Sequence, residues 1–142
     1  MREIEIPGKP IGKGRPRFGN GFTYTPQKTV DFENLVKLSY MQAYPGADLL
    51  EGPLFAGIHA YFPIPASVSK KKRATMEDTP YPHKADCDNI AKAVLDALNG
   101  VAYDDDAQVT SLIVKKSYSE RPRTVVKLMN EITACNSAAG MV

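Results

Sequence analysis

The chain has no tryptophan, two histidines and two cysteines in 142 residues. Cys87 and Cys135 stand far apart without a Cys-x-x-Cys spacing, which argues against both a disulfide framework and a thiolate zinc site. No apolar run approaches the roughly 20 residues that span a bilayer, so no membrane partner is expected. The N-terminus, Met-Arg-Glu-Ile-Glu-Ile, alternates charged with apolar residues and lacks the apolar core of a signal peptide, which points to a cytoplasmic protein. Charge is also scarce in sum: the net is +2, too small to imply nucleic acid by itself.

Its distribution is another matter. Between positions 86 and 106 lie six acidic residues and one Lys, which leaves 17 of the 18 basic residues but only 10 of the 16 acidic ones elsewhere. A carboxylate cluster inside an otherwise basic chain suits a metal-dependent enzyme acting on a polyanion. The cation takes the carboxylates and the substrate phosphates take the surrounding Lys and Arg. The length predicts one domain, able to bury about two-thirds of its unfolded surface.

Residues 2–6 alternate as a half-buried strand. The next stretch, 7–17, is too rich in Gly and Pro for a helix or central strand, and carries Lys9, Lys13, Arg15 and Arg17 without an acid. It reads either as a solvated loop or as a phosphate-contacting arm, and it lacks the Gly-Lys-Ser/Thr ending of a P-loop. Asn20-Gly21 between Phe18 and Phe22 signals a hairpin. Thr25 is a plausible N-cap before Pro26 at the first position of a helix over 26–43, with Val30, Leu35, Leu38 and Met41 as its apolar stripe and Phe32 and Val36 broadening it. Residues 53–62 are apolar enough for a central strand; His59 sits in its midst, where a lone histidine is more often a hydrogen-bonded structural residue than a ligand, and no role is assigned to it. The pattern breaks over 66–84, where Lys70, Lys71, Lys72, Arg73 and Lys84 oppose Glu77 and Asp78. A loop this long is functional or disordered unless part of it folds, and 67–76 has the makings of a short helix.

In the acidic block, an extended 85–88 would put Asp86 and Asp88 on one face and Cys87, a small buried apolar residue, on the other. Asp88 then caps a helix over 89–99 with Ile90, Val94, Ala97 and Leu98 as its stripe, closed by Gly100. Lys92 is four residues from both Asp88 and Asp96. That makes either an exposed charge ladder or an ammonium placed to stabilise a phosphoryl oxygen. Asp104-Asp105-Asp106 follows, and one of the three returning to Asp86 and Asp88 would complete a three-carboxylate Mg²⁺ site. Strands are expected over 108–116 and 123–132, joined at Glu120-Arg121-Pro122, with 133–142 as a tail.

The run Asp86-Cys87-Asp88-Asn89-Ile90-Ala91-Lys92 through Asp96, Leu98 and Gly100, continued by Tyr103-Asp104-Asp105-Asp106-Ala107-Gln108-Val109, resembles the RusA family of Holliday-junction resolvases. That family carries D-x-D-N-x-x-K-x-x-x-D-x-L, then D-D-x-Q-V. The Gly-Lys-Gly-Arg-Pro-Arg segment and Thr-Tyr-Thr-Pro are similar to its phage-associated members. The resemblance spans most of 1–132 and implies an α+β fold, a small mixed β-sheet with two main helices in a single domain. It implies a homodimer that cuts four-way DNA junctions with Mg²⁺, for which Mn²⁺ can substitute. By motif position Asp86, Asp88 and Asp106 are the metal-binding catalytic acids, Asp105 their neighbour and Lys92 the catalytic lysine. Where some relatives have an Arg run before D-x-D, this chain has Pro82-His83-Lys84-Ala85. Lys13, Arg15, Arg17, Lys70, Lys71, Lys72, Arg73 and Lys84 are therefore the candidate DNA contacts. Two readings compete: the same site acting on flaps, forks or replication intermediates, and a non-catalytic DNA-binding protein with merely superficial acids.

Overall fold

The computed structural model describes residues 1–19 and 21–132, so the expected tail at 133–142 lies outside the described residues. Alternation at the N-terminus forms strand β1 (Arg2–Pro7), which buries Ile4 and Ile6 and exposes Glu3 and Glu5. A loop leads into a separate two-stranded ribbon, β2 (Arg17–Gly19) paired antiparallel with β3 (Phe22–Tyr24), where the Asn-Gly pair predicts a hairpin. Helix α1 (Gln27–Ala43), strand β4 (Leu54–Pro63), the short helix α2 (Lys70–Met76) and helix α3 (Cys87–Ala97) follow. A 3-10 turn (Asp106–Gln108) then enters β5 (Val109–Ser119), and β6 (Arg123–Asn130) returns beside it in sequence but not in space.

The main sheet has the order β1-β6-β4-β5. Strand β6 runs antiparallel to β1 and β4, while β4 and β5 are parallel, so the sheet is mixed and the chain is α+β as expected. A parallel pair cannot be closed by a tight turn and needs a long crossover. Here the crossover holds α2, α3 and the whole acidic block, which is why the strand pattern lapses between 64 and 108. One core cluster joins Phe32, Val36 and Tyr40 of α1 to Ile90, Val94 and Leu98 around α3 and to the inward side chains of β4. Each large side chain buried there contributes about 1.5–3 kcal/mol. No described helix is long and apolar enough to cross a membrane.

Five local expectations are corrected. Helix α1 is N-capped by Pro26, not Thr25, and buries Thr29, Phe32, Val36 and Tyr40, while Leu38 and Met41 are 51% and 57% exposed. The face is rotated because Thr29 Oγ1 accepts the Gly14 N–H, which draws that side of the helix under the N-terminal loop. Helix α3 starts at Cys87, two residues early, so Asp86 occupies the N-cap and Asp88 the first turn. Asp86 and Asp88 therefore do not share the face of an extended segment. Cys87 is exposed rather than buried, because the helix turns its inner side at Ile90, Ala91 and Val94.

Candidate active site

Helix α3 carries its carboxylates at both ends. Asp86 and Asp88 sit at its start, both exposed, and Asp86 makes no side-chain capping bond. Neither carboxylate has a hydrogen-bond or ion-pair partner among the described residues. The partial positive charge of the helix N-terminus favours acids there, so two unpaired carboxylates are tolerated side by side.

The chain before them is held from two sides. Lys116 of β5 donates to the carbonyls of His83 (2.6 Å) and Ala85 (2.8 Å), and its ammonium lies over the Tyr81 ring. Tyr81 in turn stacks on the core residue Phe62 with ring centres 4.1 Å apart. From the other side comes the Gly-rich arm, whose Lys13 N–H donates to the Asn89 carbonyl at 2.8 Å. Gly12 is needed at this approach, because a Cβ there would stand 2.7 Å from the Cβ of Ala85.

The lysines are disposed differently from one another. Lys13 turns inward: its ammonium is 2.6 Å from Glu33 and 3.2 Å from Asp96. Burial pulls its pKa down, but the hydrogen bonds to Glu33 and Asp96 outweigh that and leave it raised. Lys92 reaches the same Asp96 at 3.6 Å and remains largely exposed, so of its two candidate partners the structure pairs it with Asp96 and not with Asp88. Asp96 is thus a hub between two lysines.

Asp106 lies on the other side of that hub. Its carboxyl is held above the usual range by burial and then by hydrogen bonds to Asp105 and Asp96 and the charges of both. Its backbone N–H donates to Asn99 Oδ1 at 2.7 Å. Asp105 caps the 3-10 turn by accepting the Ala107 N–H, while Gln108 Oε1 accepts the N–H groups of Asp104 and Asp105. Gln108 Nε2 ties the turn to the carbonyls of Leu50 and Gly52, both at 3.1 Å. Asp104 stays exposed.

The donor types suit a hard divalent cation, being carboxylate oxygens throughout. Burial, and then the crowding of Asp105 and Asp96, raises the Asp106 carboxyl above its ordinary range, a charge repulsion of the kind a cation relieves. Their spacing does not complete a site. Asp106 meets Asp96, about 12 Å further along the helix axis than Asp88. Among the described residues, no three His, Cys, Asp or Glu side chains are grouped to hold one ion.

The candidate DNA contacts divide as well. Arg15, Arg17, Lys70, Lys71, Lys72 and Lys84 are exposed. Arg73 is instead engaged with the Glu120 carboxylate at 2.8 Å and the Pro65 carbonyl at 2.7 Å, anchoring α2 to the β5–β6 turn. Lys13, held by two acids, is likewise a structural tie. Sequence reasoning missed Lys116, which sits in an ordinary strand pattern, and took Asp96 only as a partner of Lys92. The repeated spacing of four from Asp88 to Lys92 to Asp96 was its one available signal. His59, to which the sequence assigns no role, is within hydrogen-bond distance of Ser117 Oγ at 2.8 Å and stacked on Tyr61.

Comparison with known proteins bears on this arrangement. The family model described as endodeoxyribonuclease RusA matches residues 7–129, from the arm through β6. A relative from Bacillus subtilis (strain 168), described as uncharacterized protein YqaN, is 39% identical over 140 residues, covering 93% of this chain and 97% of its own length.

Proposed function

The chain belongs to the RusA endodeoxyribonuclease family, and from that premise we propose that it is a Mg²⁺-dependent, structure-selective endonuclease resolving four-way DNA junctions in recombination and repair. The observation that carries this reading is the unpaired pair Asp86 and Asp88 at the start of α3, fixed by Lys116 and the arm and surrounded by exposed basic residues. Two carboxylates left without partners in a chain of net positive charge are suited to a cation and, beyond it, a phosphodiester.

Asp86 and Asp88 would hold the ion; Asp106, with Asp105 beside it, would be the third acid by its position in the family motif and would have to leave Asp96 to reach them. When bound, Mg²⁺ supplies an activated water and charge stabilisation at the scissile phosphate. The chain's own residues do the rest. Lys92, exposed and tethered at Asp96, presents an ammonium that can meet a phosphoryl oxygen. Lys116 fixes the carbonyls on either side of Lys84 and so the position of Asp86. Arg15, Arg17, Lys70, Lys71, Lys72 and Lys84 would carry the phosphate backbone, and a two-fold homodimer in the cytoplasm would offer one site to each scissile phosphate.

The test is cleavage of a synthetic four-way junction with Mg²⁺, compared with a fork and a linear duplex. Wild type is expected to cut the junction, and Asp88→Asn to lose at least about 100-fold while melting at the wild-type temperature. An intact junction with wild-type protein, or equal rates for Asp88→Asn, would defeat the reading. Faster cutting of the fork would instead favour a nuclease of replication intermediates.

A further inference from the structure

The β2–β3 ribbon carries three aromatic rings that belong to no core. Phe18 is 77%, Phe22 58% and Tyr24 45% exposed. A two-stranded ribbon without an apolar cover is marginal in water, and surface aromatics at this density mark a surface made to be covered. The register sets Arg17 opposite Tyr24 and Gly19 opposite Phe22. Those four share one face, and Phe18 with Thr23 takes the other. A Cβ at Gly19 would stand 3.2 Å from the Tyr24 ring, so the glycine leaves that ring room to lie across the ribbon. The Phe22 and Tyr24 rings stand 6.4 Å apart at a steep angle, edge to face and not stacked on each other.

The charge along this segment has one sign. No acidic residue occurs from Pro7 to Tyr24, and Arg15 and Arg17 are exposed with no ion pair among the described residues. A protein partner would bury the rings at the cost of leaving those guanidinium groups unmatched, whereas a polyanion with flat apolar faces satisfies both. The root of the ribbon is fixed beside the candidate acids. Lys13 N–H donates to the carbonyl of Asn89, the residue after Asp88, and Gly14 N–H donates to Thr29 Oγ1 at 3.0 Å. Phe18 is five residues beyond that anchor, within about 17 Å along the chain.

We propose that the ribbon is a base-stacking element, in which Phe18, Phe22 and Tyr24 receive the faces of bases unstacked at a DNA branch while Arg15 and Arg17 hold the neighbouring phosphates. The proposal rests on the nuclease reading and deepens it: branched DNA is distinguished from duplex because only at a branch is the base stack interrupted. In continuous duplex the rings find no free face, so they contribute to discrimination and not to general affinity.

The test measures binding of the Asp88→Asn protein, which is not expected to cut, to a fluorescent four-way junction and to a linear duplex of equal length. Further junctions carry 2-aminopurine at the branch point. Adding Phe18→Ala or Phe22→Ala should weaken junction binding about tenfold and leave duplex binding unchanged. The 2-aminopurine signal seen with the parent protein should be lost, and Phe18→Trp should keep both affinity and signal. Because Phe18 is mostly exposed, the melting temperature should not move. If the parent binds no DNA, the nuclease reading falls and the proposal with it. If the parent binds junctions and the alanine variants match it, or lose junction and duplex binding equally, the proposal alone is overturned. It is also overturned if the variants change the oligomeric mass, since the ribbon would then be a protein contact.

Discussion

Gly12 is where the arm comes closest to the start of α3, and it offers a sharp perturbation. A Cβ added there would lie 2.7 Å from the Cβ of Ala85, 3.2 Å from the Cβ of Asn89 and 3.8 Å from its backbone carbon. Carbon atoms in contact prefer about 3.5–4.0 Å. Neither close neighbour is the end of a flexible side chain, since each is the first atom off the backbone. Gly12→Ala must therefore move the arm or the start of α3 by most of an ångström. Overpacking of this kind costs about 1–3 kcal/mol, and the lower chain entropy of alanine in the unfolded state returns about 0.4–1 kcal/mol. A net loss of about 1–2 kcal/mol should lower the melting temperature by about 3–6 °C in a chain of this length. The displaced residues flank Asp86 and Asp88, so junction cleavage should fall as well. Ala85→Gly removes the atom struck first. In a thermal cycle of wild type, Gly12→Ala, Ala85→Gly and the double variant, about 1 kcal/mol of compensating coupling is expected, with the Asn89 contact preventing full recovery. If Gly12→Ala melts with wild type, or the double variant shows the plain sum of the singles, the arm is not seated on α3 and this account of the site is wrong.

Two more outcomes follow from the same geometry. Asp106 has its carboxyl raised by burial and by its acid neighbours, so the folded chain binds that proton more tightly than the unfolded chain. Its contribution to stability is then lost as pH rises from the ordinary carboxylate value through the raised one, and it stays unfavourable above. Asp106→Asn should thus melt higher than wild type at pH 7 in EDTA, with the gap closing in acid; a lower melting temperature at pH 7 would contradict the crowding. Lys116→Met leaves the carbonyls of His83 and Ala85 without their donor. It should cost about 1 kcal/mol, near 3 °C of melting temperature, and raise the Mg²⁺ concentration for half-maximal cleavage, because Asp86 loses its fixed position. An unchanged Mg²⁺ requirement would limit Lys116 to a structural role.

Much of the architecture was legible because it follows from local periodicity. Arg2 to Ile6 alternates and forms an outer strand; Leu54 to Phe62 is apolar and forms an inner one, between β6 and β5. The Asn-Gly signal falls in sequence between the two strands that pair as a ribbon. The helix phases were less legible. Both Leu38–Met41 and Phe32–Val36–Tyr40 are apolar, and a turn of helix offers either set to a core. The second set won because Thr29 and Tyr40 on that side hydrogen-bond to Gly14 and Arg2, which are distant in sequence. The start of α3 was misplaced because Asp88 and Asp86 are both acceptable N-cap residues, and only the docking of Ala85 and Asn89 against the arm decides between them.

The sequence by itself determined the strands, the ribbon, the concentration of carboxylates between Asp86 and Asp106 and the basic character of everything around it. Those are properties of spacing and composition, carried by residues near one another in the chain. Which charge meets which was decided only by the tertiary structure. Lys13, expected on DNA, is held between Glu33 and Asp96, and Asp106, expected beside Asp88, is held against Asp96. The reason is that the energy of a charge depends on what lies within a few ångströms of it, and those neighbours come from the arm, α1, α3 and the turn before β5. No local pattern places four such segments side by side. The shared core beneath them does.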